Sequence, residues 1–350
     1  MYLKKLSEVR IRPLASVIVA AYNRRSFLLN ALRSLSNQTF KDFEVIVVKN
    51  FYDKEIDDYI HHQGFKDIFI DTKYYGEQIA TGIEEAKGDI ILFLEDDDEY
   101  EQNKLHVVTN IFHKIKGVSY VHDSRRCIDE YGHEITYNNP KYLNIVKFLE
   151  SITPSKDVII DPNNQDHIKY LLRYYGIVST VSMMAVKTDC IRRKKYISAL
   201  RRIQISVEAF IPAVAIQCGY LYHTAHKLTK YRIHKINSSI AFNEVDKLRR
   251  YLFNLRRAIN DHELIINEVL KLENLYVQVV RLQQLQAKYI LAKSRYKHIF
   301  NDVIMKPNEV FELCKLVESG LNTISPRTIL CYFRRNLSII MNSLKSILSN

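Results

Sequence analysis

The sequence predicts an α/β protein built on a parallel sheet, followed by a helical extension. Three observations predict it. Short β-branched runs alternate with helical patterns from residue 15 to 94. The strand runs are apolar at successive positions, as strands covered on both faces are. Beyond about residue 241, strand signals give way to long helical periodicity.

Ala15-Ser16-Val17-Ile18-Val19-Ala20 is the first such run. Phe27, Leu28, Ala31, Leu32 and Leu35 then recur at helical spacing, with Ser26 as the expected N-cap and Asn37 as the stop. Phe43 to Val48 forms the second strand and Ile68-Phe69-Ile70 the third. Ile79, Ile83 and Ala86 mark a short helix that Gly88 closes at the C′ position. Ile90-Ile91-Leu92-Phe93-Leu94 is the fourth strand and runs directly into Glu95-Asp96-Asp97-Asp98. Leu105, Val108, Ile111, Phe112 and Ile115 give a helix face. Tyr120-Val121-His122 and Arg126-Cys127-Ile128, with the turn 129–132, suggest a hairpin, and Val178 to Val186 another strand. Later, Leu272, Leu275, Val279, Leu282, Tyr289, Tyr296 and Ile299 share one stripe. A last helix aligns Leu330, Phe333, Leu337, Ile340, Leu344 and Ile347.

Composition bounds the function. A chain of 350 residues with 47% hydrophobic and 26% charged content has ample core for one large domain or two modest ones. No run of about 18 apolar residues suggests a membrane span, and the N-terminus lacks a signal-like core, so cytoplasmic residence is expected. The 5 cysteines form no CxxC pair and read as reduced thiols. Of the net +12, +7 falls in residues 241–350, where 17 Lys/Arg face 10 Asp/Glu. Such an excess suits nucleic acid, anionic lipid or phosphorylated substrates.

The acidic run carries the chemistry. Adjacent carboxylates repel, so four after a buried strand need compensation. A divalent cation supplies it, since Mg²⁺ and Mn²⁺ favour oxygen ligands shared with substrate phosphates. The plain alternative is a solvated acidic turn. Position argues otherwise: ligands of parallel sheets gather beyond the strands' carboxyl ends, where Tyr22-Asn23, Lys49-Asn50 and the acids all fall.

The segment from Ser16 to Glu99 resembles the nucleotide-sugar-binding half of a family 2 glycosyltransferase, the inverting GT-A type. The matching pieces are Val17 to Arg24, Ser34 to Thr39, Phe43 to Val48, Gly82 to Asp89 and Phe93 to Asp98, in that order. The resemblance extends through residue 240. It implies a GT-A, Rossmann-like sandwich over 1–240, with a nucleotide-binding half at 15–100 and an acceptor half at 101–240; periodicity and charge add a basic helical C-terminal region at 241–350. It implies a nucleotide-diphosphate sugar donor, a glycan or lipid-linked acceptor, and Mn²⁺ or Mg²⁺. Ala21, Tyr22 and Asn23 would line the nucleotide pocket. Glu95 and Asp97 take the outer DxD positions, Asp97 as metal ligand, with Asp96 and Asp98 supporting. Lys49-Asn50-Phe51-Tyr52 stands where the family commonly has Asp-Asp-Gly-Ser, which leaves the donor base open.

Inversion needs a base for the acceptor hydroxyl. The resemblance points to Glu208, the one Asp or Glu between Asp189 and Glu244. Leu228 to His234, with Asn237-Ser238-Ser239, is similar to the family's closing segment, which would bring Arg232 and His234 to the diphosphate or metal. The helices after 240 cover apolar surface, pack together or dimerise. The last one, with Arg334-Arg335 and no acid, also suits docking on anionic lipid at the inner face of a membrane. The competing readings are a nucleotidyl transferase, disfavoured by the lack of a Gly-rich phosphate loop, a basic nucleic-acid-binding protein, and a homologue that binds nucleotide sugar without catalysis.

Overall fold

The computed structural model describes residues 12–140, 142–234, 245–270, 274–293 and 303–320. In chain order the first half holds β1 (Ala15–Ala21), α1 (Arg25–Ser36), β2 (Phe43–Lys49), α2 (Lys54–His62), β3 (Lys66–Phe69), α3 (Tyr75–Glu85), β4 (Ile90–Glu95), β5 (Glu99–Tyr100), α4 (Lys104–Lys114) and β6 (Val118–Ile128). There follow α5 (Leu143–Ser151), β7 (Val158–Ile160), α6 (Gln165–Arg173), β8 (Met184–Lys187), α7 (Thr188–Ile191), α8 (Lys194–Leu200), α9 (Val207–Ala215) and β9 (Tyr220–Arg232). Among the described residues the last three helices are α10 (Val245–Leu264), α11 (Val277–Lys293) and α12 (Pro307–Gly320). A single sheet takes the order β3-β2-β1-β4-β8-β6-β9-β5, with β7 also paired to β9. The first four strands are parallel; β8 inserts antiparallel between β4 and β6.

β1, β2 and β4 are largely apolar because the sheet has a core on each face. Ile18 and Ala20 of β1, with Ile91 and Phe93 of β4, face one core. Val17, Val19 and Ala21, with Leu92 and Leu94, face the other. That alternation is the period of two of an extended chain. Residues of α10 to α12, among them Val280, Leu285 and Leu316, and Ile265 and Val269 of the π turn that follows α10, join the core containing Ile18 and Phe93.

Four local expectations are corrected. Arg24, not Ser26, occupies the N-cap of α1, and its side chain makes no capping bond because it is drawn to the acidic run. Gly88 does not close α3, whose C-cap is Ala86. A Cβ there would sit 2.6 Å from the Ala15 carbonyl carbon, so glycine allows the β4 approach to pass against β1. Tyr120 to Ile128 is one strand, not a hairpin. Its long partner β9 carries the pairing, and the turn at 129–132 returns only as far as a single bridge between Ile128 and Glu134. Of Val178 to Val186 only the end from Met184 is strand, as β8; 3-10 turns over Tyr175–Val178 and Val181–Met183 precede it. Asn237-Ser238-Ser239, Leu272, Tyr296, Ile299 and the last helix lie outside the described residues.

Candidate active site

The strand order reverses direction at β1, so the crevice beyond β1 and β4 is the topological switch point. Register places Ala20 beside Glu95. One step on, the Tyr22 amide donates to Asp96 Oδ2 at 3.1 Å. The acids turn tightly, Asp98 N donating to Glu95 O at 3.3 Å, and the Glu95 amide donates to Ser182 Oγ at 3.0 Å. Asp96, Asp97 and Asp98 are all buried, which rules out the solvated acidic turn.

Cations converge on the run from two distant segments. Arg24 pairs with Asp96 Oδ1 at 2.6 Å and also with Asp97. His234 Nε2 contacts Asp97 Oδ2 at 2.9 Å. The Arg232 amide donates to Asp98 Oδ1 at 2.9 Å, while its Nε donates to the Asp97 carbonyl at 2.8 Å and its Nη2 pairs with Glu99. Phe27 packs between these groups, its ring 4.8 Å from the His234 ring and 4.9 Å from the Arg232 guanidinium carbon. Burial opposes ionisation of Asp97, but Arg24 and His234 overcome it and hold the carboxyl below its usual range. Asp96 and Asp98 are each pushed up to about 7, first by burial, with the neighbouring Asp97 adding to it. Glu95 is raised by burial and by Asp97 and Asp98.

Four carboxylates still face only two arginines, and buried Asp98 Oδ2 accepts no hydrogen bond. Both facts fit a divalent cation. Among the described residues no three His, Cys, Asp or Glu side chains form a closed cage. A cation here would draw its remaining ligands from phosphate and water, as Mg²⁺ commonly does.

The donor-side residues are placed as follows. Ala21 is buried and its carbonyl accepts from Gln78 Nε2 at 3.1 Å. Tyr22 is 43% exposed beside it. Asn23 adopts a left-handed φ of 55°, which Asn tolerates, and its amide donates to Asn50 Oδ1 at 3.0 Å. Lys49 is buried and committed to Asp67 at 2.7 Å and Asp57 at 3.2 Å.

Glu208 lies in the first turn of α9, its side chain half-buried. Burial pushes its carboxyl up to about 7, with the Asp261 charge adding to the rise and its own backbone amide opposing. Glu208 and Glu95 act on each other electrostatically, and both act on Tyr75. The loop entering α9 is held by Asp261 of α10, whose carboxylate accepts from the amides of Gln204, Ile205 and Ser206 at 3.0, 2.9 and 2.9 Å.

Sequence reasoning did not single out Ser182, Tyr75 or Asp261, and it met Arg24 only as one of a basic pair with Arg25 beside the site, and Phe27 only on a helix face. Arg24 had a signal, a cation three residues past a strand end at the ligand edge. Asp261 had none, because a helical aspartate reads as surface until the loop it holds is located.

Residues 16–168 match the family model described as "Glycosyl transferase family 2". The chain is 25% identical over 182 residues to "Amylovoran biosynthesis glycosyltransferase AmsB" of Erwinia amylovora, covering 50% of this chain and 56% of that protein. It is 33% identical over 96 residues to "GalNAc(5)-diNAcBac-PP-undecaprenol beta-1,3-glucosyltransferase" of Campylobacter jejuni, covering 25% of this chain and 30% of that one. The chain thus spans about half the length, or less, of these curated relatives. The S. aureus TarS 1–349 structure in complex with UDP is similar at TM-score 0.53 and 13% identity, covering 89% of this chain and 81% of that one. At that identity the likeness is one of fold, the GT-A type.

Proposed function

We propose that this chain, whose residues 16–168 match the glycosyl transferase family 2 model, moves a sugar from a nucleotide-diphosphate donor to an acceptor hydroxyl with inversion. The observation that carries this reading is the buried Asp96-Asp97-Asp98 turn at the β1/β4 switch point, met by Arg24, Arg232 and His234. Burying that much charge is costly without a function that uses it.

Ala21, Tyr22, Asn23, Asn50, Glu95 and Asp96 form the donor pocket in this reading, with Lys49 bracing its floor through Asp57 and Asp67. The name of the TarS structure, a complex with UDP, supports a nucleoside diphosphate as the ligand class. Asp97 and Asp98, with His234 beside them, would hold Mn²⁺ or Mg²⁺, whose charge when bound neutralises a leaving diphosphate. Arg232 fixes the acidic turn through three of its own donors. Glu208 takes the acceptor proton, its raised pKa placing it near neutral pH where a base is effective. The acceptor is a glycan or a lipid-linked glycan, a class that the name of the Campylobacter relative supports. Residues 1–240 form the transferase domain in this reading, and the described helices between 245 and 320 share its core.

Thermal stabilisation by nucleoside diphosphates and nucleotide sugars, with and without Mn²⁺, tests the reading on wild type and Asp97→Ala. Metal-dependent stabilisation of wild type that the variant loses is expected. Stabilisation of wild type by nucleic acid but by no nucleotide refutes it, and donor binding without turnover identifies a non-catalytic homologue. Flotation on anionic liposomes, with and without residues 325–350, tests membrane docking by the C-terminal segment.

A further inference from the structure

Arg125 presents a problem that the donor site does not solve. The residue is 8% exposed, yet no carboxylate lies in ion-pair contact with it among the described residues. Its Nε donates to nothing. Its two terminal nitrogens reach only the hydroxyls of Thr180 at 3.5 Å and Thr153 at 3.4 Å, both at the limit of a hydrogen bond. The Tyr231 ring lies 5.5 Å from the guanidinium carbon. The carboxylates that act on Arg125 electrostatically are committed elsewhere: Asp123 to Lys104 at 2.6 Å, and Asp98 to the Arg232 amide. A buried cation with one free edge and two stretched contacts is expensive unless an anion completes it.

The backbone around Arg125 is irregular in ways that aim groups at this point. The pairing of β6 with β9 shifts register between His122 and Ser124 and again between Ser124 and Arg125, and such bulges re-aim side chains next to active sites. Thr180 is a β-branched residue at φ 65°, a conformation held only under constraint. Thr153 and Thr180 beside it are only partly buried. The two segments that flank Arg125 run on to the acidic run. Thr180 leads to Ser182, which accepts from Glu95, and Tyr231 precedes Arg232, which donates to Asp98.

We infer that Arg125, Thr153 and Thr180 form a binding site for a phosphoryl group carried by the acceptor. The word acceptor rests on the transferase reading above; the anion site itself does not. The guanidinium edge and the Thr180 hydroxyl offer several donors to the oxygens of a tetrahedral phosphate, while Thr153, whose own proton goes to Leu149 O at 2.9 Å, orients the guanidinium as an acceptor.

Thermal shift and calorimetric titration with inorganic phosphate, methyl phosphate and acetate test it on the full chain. Wild type should bind both phosphates. Arg125→Met should lose roughly tenfold or more of that affinity, and Thr153→Val should weaken it without removing charge. The unliganded Arg125→Met protein should melt no lower than wild type, because an uncompensated buried cation has been replaced by an apolar side chain. Phosphate binding retained in Arg125→Met, its absence in wild type, an equal response to acetate, or a lowered melting temperature of Arg125→Met would each overturn the proposal. If Arg125→Met fails to fold, unchanged phosphate affinity in Thr153→Val overturns it. Nucleotide stabilisation with Mn²⁺, measured in parallel, reports separately on the transferase reading. A short prenyl phosphate binding where a sugar 1-phosphate does not would place the phosphoryl group on a lipid, and the reverse on a sugar.

Discussion

Replacing Glu208 by glutamine isolates the ionisation that a base requires. In the folded chain burial raises the Glu208 carboxyl from an ordinary 4.5 to about 7. At about 1.4 kcal/mol per pH unit, keeping it ionised therefore costs the fold about 3 kcal/mol. The sign follows from an acid whose folded pKa is raised. Below pH 4.5 the group is protonated in both states and costs nothing. Between 4.5 and about 7 the unfolded chain ionises it first, and stability falls. Above about 7 the full penalty is present. The replacement amide carries no charge at any of these pH values, so Glu208→Gln should be stabilised relative to wild type by an amount that grows to about 3 kcal/mol across that window. Urea unfolding of both proteins at intervals from pH 4.5 to 8 reads the difference, from which groups common to both cancel. In activity, kcat/KM of the wild type should rise with pH through about 7, and the variant should lose transfer by roughly 10²- to 10⁴-fold while still binding donor. A stability difference that stays flat with pH would show that Glu208 is not held in a raised state and would refute the reasoning.

Other consequences are equally concrete. Lys104 and Asp123 form a buried pair at 2.6 Å, with Lys104 also donating to Ser182 O and Thr229 Oγ1. Lys104→Met should cost about 3–5 kcal/mol in urea unfolding, and Lys104→Met with Asp123→Leu should recover most of it. Asp261→Asn removes a charge that raises the Glu208 pKa, so the rising limb of the pH–rate profile should move to lower pH; a profile that does not move removes the electrostatic link. Gly76→Ala would place a Cβ 2.1 Å from the Leu200 carbonyl oxygen, and should lower the melting temperature while loosening the loop before Glu208, seen as faster amide exchange at Gln204 to Ser206.

The parallel half was legible because its signals are local. β1, β2 and β4 are short, largely apolar runs buried on both faces, and the acids follow β4 without a break; β3, at the sheet edge, is partly polar and only half-buried. Asn37 also ends α1 as expected. The acceptor half was less legible. Tyr120 to Ile128 reads as two short runs because the polar Asp123, Ser124 and Arg125 part them, with the turn expected at 129–132. These three are buried in one strand because Lys104, Thr229 and Thr180 come from elsewhere to meet them. The N-cap went to Ser26 on propensity, whereas tertiary charge pulled Arg24 to Asp96 and Asp97 instead.

The acidic run marks the division between the two kinds of information. Sequence by itself determined that four carboxylates stand at the end of a buried strand on the ligand edge of a parallel sheet, because strand period, apolar content and chain order are properties of neighbouring residues. Only the tertiary structure decided which charges answer them. Arg24 reaches the run across 72 and 73 positions, Arg232 and His234 across more than 130, and Asp261 sets the loop before Glu208 from a helix over 50 residues downstream. A Coulomb interaction depends on distance in space and on the solvent excluded between the partners, and neither quantity exists until the sheet has closed.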